Sequence, residues 1–241
     1  MKKAIIIGAS SGIGKGISLE LLSKNYKIAI SARRKNRLDE IKKINSENVL
    51  VYEFDSSTEK NNELLDSMIK DLGRVDLIIY CSGIGIINKE LDYLKDKKVN
   101  NLNVAGFTQV VTYAFNYFIK NGGGHIVNIS SVASEIGNGL ATSYNASKAY
   151  QANYFQGLRF KAYKLKLPIY LTDVRPGFVD TDILMGNKDK LIWVAPLEKA
   201  CRQIISGIER KSKVLYITKR WKIISLLIKI FPEKILRLFF R

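Results

Sequence analysis

Four apolar residues, Ala4-Ile5-Ile6-Ile7, run without a break into Gly8-Ala9-Ser10-Ser11-Gly12-Ile13-Gly14, and a helical pattern opens inside that glycine-rich segment and runs to about Leu22. A strand that turns this tightly into a helix commits the chain to an α/β arrangement, with the helix packed back on the sheet it has left. Gly8 permits the turn and Gly12 lets backbone approach a diphosphate. Gly14 allows close helix packing, and the amino terminus of the helix offers its unpaired N–H groups to the anion. The spacing is GxxxGxG rather than GxGxxG.

The rest of the chain repeats the same alternation. Strand-like runs at 4–7, 27–31, 49–53, 75–80, 125–130, 169–174 and 214–218 are separated by helical stretches, and Gly122-Gly123-Gly124 reads as a helix-to-strand loop. With 46% apolar residues in 241, one core is affordable and no linker divides it. The expectation is a doubly wound, Rossmann-type α/β fold: a mostly parallel seven-stranded sheet in a three-layer α/β/α sandwich, as a single domain over residues 1–218 with a tail at 219–241. Cys81 and Cys201 form no CxxC and have no histidine cluster, so neither a disulfide framework nor zinc is indicated. A reducing, cytoplasmic location is expected. Met1-Lys2-Lys3 before an apolar run resembles a signal peptide, but the run collapses into the glycine loop. The lone His125 opens a strand and reads as structural.

The chemistry is carried by Ser131, Tyr144 and Lys148. Ser131 follows the 125–130 strand, and so stands at a carboxyl end, where open α/β sheets bind ligands. Tyr144 and Lys148, four residues apart, share a helix face. A hydroxyl, a phenol and an ammonium brought together make a proton-transfer device for carbonyl/alcohol redox chemistry, in which hydride addition to a carbonyl carbon creates an alkoxide that needs a proton. A tyrosine titrates near 10, so working at neutrality needs about 3 units, or about 4 kcal/mol in favour of phenolate. A neighbouring ammonium is expected to supply this: Lys148 lowers the Tyr144 pKa and hydrogen-bonds the nicotinamide ribose, while Ser131 orients and polarises the carbonyl.

Glycine loop, Asn103 in Asn-Val-Ala-Gly, Ser131 thirteen residues before Tyr144, Tyr144-x-x-x-Lys148, and Pro176-Gly177-Phe178-Val179-Asp180-Thr181 occur in this order. In these motifs the chain resembles the short-chain dehydrogenase/reductase family over residues 1–218. The resemblance implies that Asn103 holds a water in a proton relay to Lys148, that Thr181 contacts the nicotinamide carboxamide, and that Asp55, after the 49–53 strand, meets the adenine. It implies further cofactor contacts at Ser10, Ser11, Ile13, Ser56, Cys81, Ser82, Gly83, Pro176, Gly177 and Val179, and a homodimer or homotetramer. Two positions depart from the family pattern. Ile7 stands where a threonine is usual, and Tyr80-Cys81-Ser82-Gly83 replaces Asn-Asn-Ala-Gly. The lost polar side chains are expected to cost hydrogen bonds of about 0.5–1.5 kcal/mol each in the central strands, while Gly83 keeps backbone clearance beside the cofactor.

Charge decides between the cofactors. A carboxylate about 20 residues beyond the glycine loop would bind the 2'-hydroxyl of NAD, whereas arginine accommodates the 2'-phosphate of NADP. Here the segment reads Ser31-Ala32-Arg33-Arg34, and the nearest downstream acid is Asp39, inside the next helical pattern. NADP(H) is expected, with Arg33 as the principal clamp beside Arg34.

Residues 210–241 hold ten Lys or Arg against one acid, a net +9 of the chain's formal +17. Between 221 and 231, Lys222, Ser225 and Lys229 fall on one helical face while Ile223, Ile224, Leu227, Ile228 and Phe231 cover most of the rest. Pro232 should interrupt this basic amphipathic helix, and 235–241 continues its character. No apolar stretch reaches the ~20 residues a span requires. The tail suits an anionic membrane interface, with Trp221, Phe231, Phe239 and Phe240 inserted and the lysines facing headgroups. A tail capping the substrate cleft or packing on a second subunit fits the pattern equally. Nucleic acid is disfavoured, because the basic residues interleave with bulky aliphatics. After Pro176-Gly177, residues 182–195 form a substrate lid whose Ile183, Leu184, Met185, Leu191, Ile192 and Trp193 suit an apolar substrate or simply seat the lid. Two functional classes follow: an NADP(H)-dependent reductase of an apolar ketone or aldehyde, or a catalytically silent nucleotide-binding sensor or scaffold with an adhesive tail.

Overall fold

Apolar residues at period two bury on both faces of each central strand, and this builds the sheet. In β1 (Lys3–Ile7), Ala4 and Ile6 enter one core and Ile5 and Ile7 the other. The computed structural model describes residues 1–182, 191 and 193–237. Ile183, Leu184, Met185 and Ile192 of the expected lid, and Phe239 and Phe240 of the tail, lie outside the described residues. Seven strands, β1, β2 (Lys27–Ala32), β3 (Val49–Glu53), β4 (Leu77–Tyr80), β5 (Gly124–Ile129), β6 (Ile169–Pro176) and β7 (Val214–Ile217), form one parallel sheet in the order β3-β2-β1-β4-β5-β6-β7.

Helices α1 (Gly12–Ser23), α2 (Lys35–Ile44) and α7 (Leu197–Glu209) cover one face through Ile17, Leu21, Leu38, Ile41, Ile204 and Ile208. Helices α3 (Asn61–Leu72), α5 (Phe107–Lys120) and α6 (Thr142–Leu165) cover the other through Leu65, Met68, Phe107, Val111, Phe118 and Phe155. Helix α4 (Tyr93–Asn100) runs through a π-helical turn, Asn101–Gly106, into α5.

All seven expected strands form, most ends within one residue of expectation, and two ends differ by two residues for local reasons. β4 starts at Leu77 because the Val75 N–H donates to the Tyr117 hydroxyl (3.2 Å) instead of joining the ladder. β6 runs on to Pro176 because Arg175 and Pro176 pair with Tyr216 and Ile217 of β7.

The tail begins with α8 (Arg220–Ile230), followed by a short α9 (Glu233–Leu236). α8 lies against the body with a face that the amphipathic pattern did not indicate. Trp221 packs edge-on to Phe178 and Trp193, with ring centroids 5.5 and 5.9 Å away, and Ser225 is buried against the Tyr216 hydroxyl at 2.9 Å. Lys229 pairs with Glu135 at 3.1 Å. Two members of the polar stripe therefore turn inward, because Tyr216 and Glu135 need polar partners, and Trp221 is held by the body rather than presented for insertion.

Candidate active site

The connections leaving β1 and β4 diverge at the centre of the sheet, and the glycine loop fills the crevice between them. Gly8 has φ +92°, and a Cβ there would lie 2.6 Å from the Ser82 backbone nitrogen; the unusual Cys81-Ser82 segment therefore depends on a bare glycine opposite it. A Cβ on Gly14 would overlap the Gly8 carbonyl oxygen, so the start of α1 can close on the loop only as glycine. Ser11 caps α1 without a side-chain bond into its first turn, which leaves the first-turn amides of Ile13 and Gly14 to an outside acceptor. These features make a cradle that fits a diphosphate.

Around the cradle, Arg34 Nη2 donates to Ser10 Oγ (3.1 Å) and Ser11 Oγ (2.8 Å), while Arg33 pairs with Asp55 at 3.8 Å. It is Arg34, rather than Arg33, that stands on the glycine loop. Asp55 also accepts from the Ser57 amide at 2.9 Å, and the buried Ser56 follows it. Asp39 lies within α2. The donor set thus fits a nucleotide carrying an extra phosphate on its ribose. Thr181 lies over the loop, where a Cβ on Gly12 would come 3.2 Å from its methyl group, and Arg37 ties down the following Asp182 at 3.0 Å. Val179 bridges to Ala195 and is buried. Gly177, after Pro176, has Trp221 where a Cβ would be, so this glycine seats the tail helix.

Ser131 leaves the end of β5 and caps a 3₁₀ turn, Val132–Glu135. Its Oγ accepts from the Ala133 amide (3.1 Å) and donates to the Pro176 carbonyl at 3.4 Å. Tyr144 and Lys148 occupy the first turns of α6, with the Ser131 side chain close enough to the Tyr144 hydroxyl to act on its pKa. The Lys148 ammonium, 5.9 Å from the Tyr144 ring centre, is buried and donates to the Ile129 carbonyl (3.0 Å) and to Gln151 Oε1 (3.1 Å). Asn103 sits in the π-helical turn. Its side chain accepts from the Ile84 amide (3.0 Å) and donates to the Ile84 carbonyl (2.9 Å) and Ser147 Oγ (3.0 Å). A Cβ on Gly83 would lie 3.3 Å from Lys148 Nζ and 3.4 Å from Asn103 Oδ1, so Gly83 sits between the two. Ser131, Tyr144, Lys148 and Asn103 are thus brought to one place by three different elements: the end of β5, the start of α6 and the π-helical turn.

The electrostatics differ from expectation at Tyr144. Burial raises its phenol pKa, the Ser131 side chain opposes this, and no lowering comes from Lys148, whose ammonium is engaged with Ile129 and Gln151. Lys148 itself is pushed down by burial to about 8 against the pull of Asp173. Cys81 is pushed up by burial and stays a thiol, packed as a small apolar residue. His125, buried and bonded to Thr172 Oγ1 at 2.8 Å, is held by burial at about 4, a structural role at the far end of β5.

Two residues outside the motifs complete the site. Gln151, three residues past Lys148, is fully buried; it accepts from Lys148 and donates to the Asn103 carbonyl at 2.8 Å, linking the two. Tyr80, which replaces a usual asparagine, donates from its hydroxyl to the Leu102 carbonyl (2.7 Å) and packs edge-on to Phe107 at 5.6 Å. It therefore pins the turn that carries Asn103, and Ile7 is fully buried in the core. The expected loss of hydrogen bonding at these positions is made good at Tyr80 by a different bond. A single glutamine and a single tyrosine carry no sequence signal of such roles; only the helical spacing of Gln151 from Lys148 hinted at one.

A buried polar chain leads outward from Gln151. Asn128 Nδ2 lies 3.4 Å from both Gln151 Oε1 and Asp173 Oδ1, and Asp173 accepts from Arg175 Nε at 2.7 Å. Arg175 is bonded to Glu135, which also takes the Tyr216 hydroxyl (2.8 Å) and Lys229 of α8. Burial alone would raise the Glu135 carboxyl, but the Tyr216 bond and the Arg175 charge leave it below the usual range.

A model of the short chain dehydrogenase family matches residues 2–191. The chain is 29% identical over 254 residues to 11-beta-hydroxysteroid dehydrogenase 1A of Arabidopsis thaliana, covering 92% of this chain and 72% of that protein. Among solved structures, a short-chain dehydrogenase from Sphingobium yanoikuyae in complex with NADPH superposes with a TM-score of 0.82 at 22% identity, over 96% of this chain and 97% of that one. The ElxO protein with NADP bound gives 0.79 at 24%, over 90% and 96%. These two establish the likeness of fold.

Proposed function

The chain belongs to the short-chain dehydrogenase family, oxidoreductases that act on CH–OH and C=O groups, and on that premise we propose that it is an NADP(H)-dependent reductase of an apolar ketone or aldehyde with Tyr144 as the proton donor. The observation that carries the reading is the convergence of Ser131, Tyr144, Lys148 and Asn103 beside a glycine cradle flanked by Arg34 and Arg33. NADPH in a neighbour of the same fold, and the hydroxysteroid in the name of the Arabidopsis relative, are consistent with the cofactor and with an apolar substrate.

A reduced nicotinamide held there would supply the hydride to the carbonyl carbon. The first-turn amides of α1 and the Ser10 and Ser11 hydroxyls would hold the diphosphate, and Arg34 with Arg33 the 2'-phosphate. Ser131 Oγ, anchored by Ala133 and Pro176, orients the substrate oxygen. The Tyr144 hydroxyl, kept protonated by burial, gives its proton to that oxygen as it gains negative charge, leaving phenolate and alcohol. The Lys148 ammonium, poised near neutrality, is the local source for reprotonation, and Gln151 and Asn103 hold it in place. Family resemblance extends the proposal to a homodimer or homotetramer that pairs through α6, which exposes Phe160 and Tyr163.

The test is consumption of NADPH and of NADH against a series of carbonyls from small aldehydes to long-chain ketones. The reading requires turnover with NADPH preferred and a KM that falls as substrate apolarity rises. Tight NADPH binding with no turnover across the series would transfer the weight to a sensor or scaffold.

A further inference from the structure

α8 presents its apolar side to solvent. Ile223, Leu226 and Ile230, 63%, 59% and 65% exposed, fall with Leu227 on one stripe, because residues three and four apart share a helical face. The opposite face, Trp221, Ile224, Ser225 and Ile228, is turned to the body. The stripe is bordered by exposed Lys219, Arg220 and Lys222 at one end and by Lys234 at the other. Because β4, β5, β6 and β7 are parallel neighbours, the segments leaving their carboxyl ends emerge at one end of the molecule, that of Ser131 and Tyr144. There Ile87, Leu91, Leu94 and Leu140 are each more than half exposed, and the Asn88 amide ties the first of these segments to the Leu140 carbonyl at 2.8 Å.

We infer that the solvent-facing stripe of α8, together with this apolar rim, docks on an anionic lipid surface, with the substrate cleft facing the bilayer. Burial of the stripe in the headgroup–acyl boundary removes exposed apolar side chains from water, and the flanking cations meet anionic headgroups. A second copy of the chain is the poorer occupant. Pairing stripe against stripe about a two-fold axis would set Lys219, Arg220 and Lys222 of each copy against the cations of the other, with Glu233 the one acid in 210–237 to offset them. Delivery of an apolar carbonyl from the bilayer rests on the reductase reading; the docking itself does not.

The experiment is flotation of the full-length protein with vesicles of phosphatidylcholine alone and of phosphatidylcholine with phosphatidylserine. It compares the wild type with the double variant Leu226→Glu/Ile230→Glu, which leaves the inward face of α8 untouched. The wild type should float with the anionic vesicles and the variant should partition at least about tenfold less, while NADPH oxidation with a water-soluble aldehyde stays unchanged between them. Absence of flotation by the wild type, or equal flotation of the variant, overturns the inference. So does a wild-type dimer, seen by size exclusion, that the substitutions dissociate without any lipid binding. Because flotation is read without turnover, a protein that floats but reduces nothing would count against the reductase alone.

Discussion

Replacing Gln151 by leucine keeps the side-chain size but deletes the acceptor for the Lys148 ammonium at 3.1 Å and the donor to the Asn103 carbonyl at 2.8 Å. A hydrogen bond to a charged group contributes about 1.5–3 kcal/mol, and 1.36 kcal/mol corresponds to about one pKa unit. The lost acceptor had favoured the charged form, so the Lys148 pKa falls from about 8 by about one to two units. Activity that needs the ammonium is then lost as pH rises through the lower value, and the alkaline limb of the kcat profile moves from near pH 8 to about 6–7. At about pH 7.5 this alone removes roughly tenfold of the rate. Gln151→Glu moves the limb the other way, because a carboxylate favours the ammonium more strongly, while its kcat stays below wild type because it no longer donates to Asn103. The assay is kcat with saturating NADPH between about pH 6 and 9, with melting curves to confirm folding. If both variants keep the wild-type limb, or lower kcat by one factor at every pH, Gln151 does not act through Lys148.

Arg34→Glu should raise the KM for NADPH by about 10- to 100-fold and that for NADH by much less, since a charged bond to the 2'-phosphate, which NADH lacks, is replaced by a carboxylate that repels it; initial rates with each cofactor report it. His125 is held near 4 when folded, below its usual 6.5, so the unfolded chain binds the extra proton first and stability falls as pH drops from about 6.5 to 4, by up to about 3 kcal/mol. Urea denaturation across that range should show the loss, and His125→Gln should flatten it. Gly177→Ala puts a methyl group into the Trp221 indole and should destabilise by about 1–3 kcal/mol, with Trp221 fluorescence shifting towards that of an exposed indole.

The strands were legible because each buries both faces, so that Ala4 to Ile7 or Ile28 to Ile30 read as apolar runs broken by turn residues. The clustering of Ser131, Tyr144 and Lys148 was legible for a different reason: they lie close in sequence, and the glycine loop fixes which end of the sheet they meet. What escaped was set by partners distant in sequence. Gln151 meets Asn103 across 48 residues, and Tyr80 meets the Leu102 carbonyl through a side chain that pattern reading counts as a lost asparagine. The polar stripe of α8 reads as its wet face until Tyr216 and Glu135 are seen to claim Ser225 and Lys229. The Tyr144 pKa was misjudged because a Tyr-x-x-x-Lys spacing cannot tell that the ammonium is already committed to Ile129 and Gln151. Adjacent arginines likewise leave open which one reaches the loop serines.

The most direct test of the central claim is Tyr144→Phe, assayed for NADPH binding by fluorescence and for carbonyl turnover in the same preparation. If Tyr144 is the proton donor, binding stays within a few-fold of wild type and kcat falls by about 10²- to 10⁴-fold. Turnover within tenfold of wild type would contradict it and move the proton to another group.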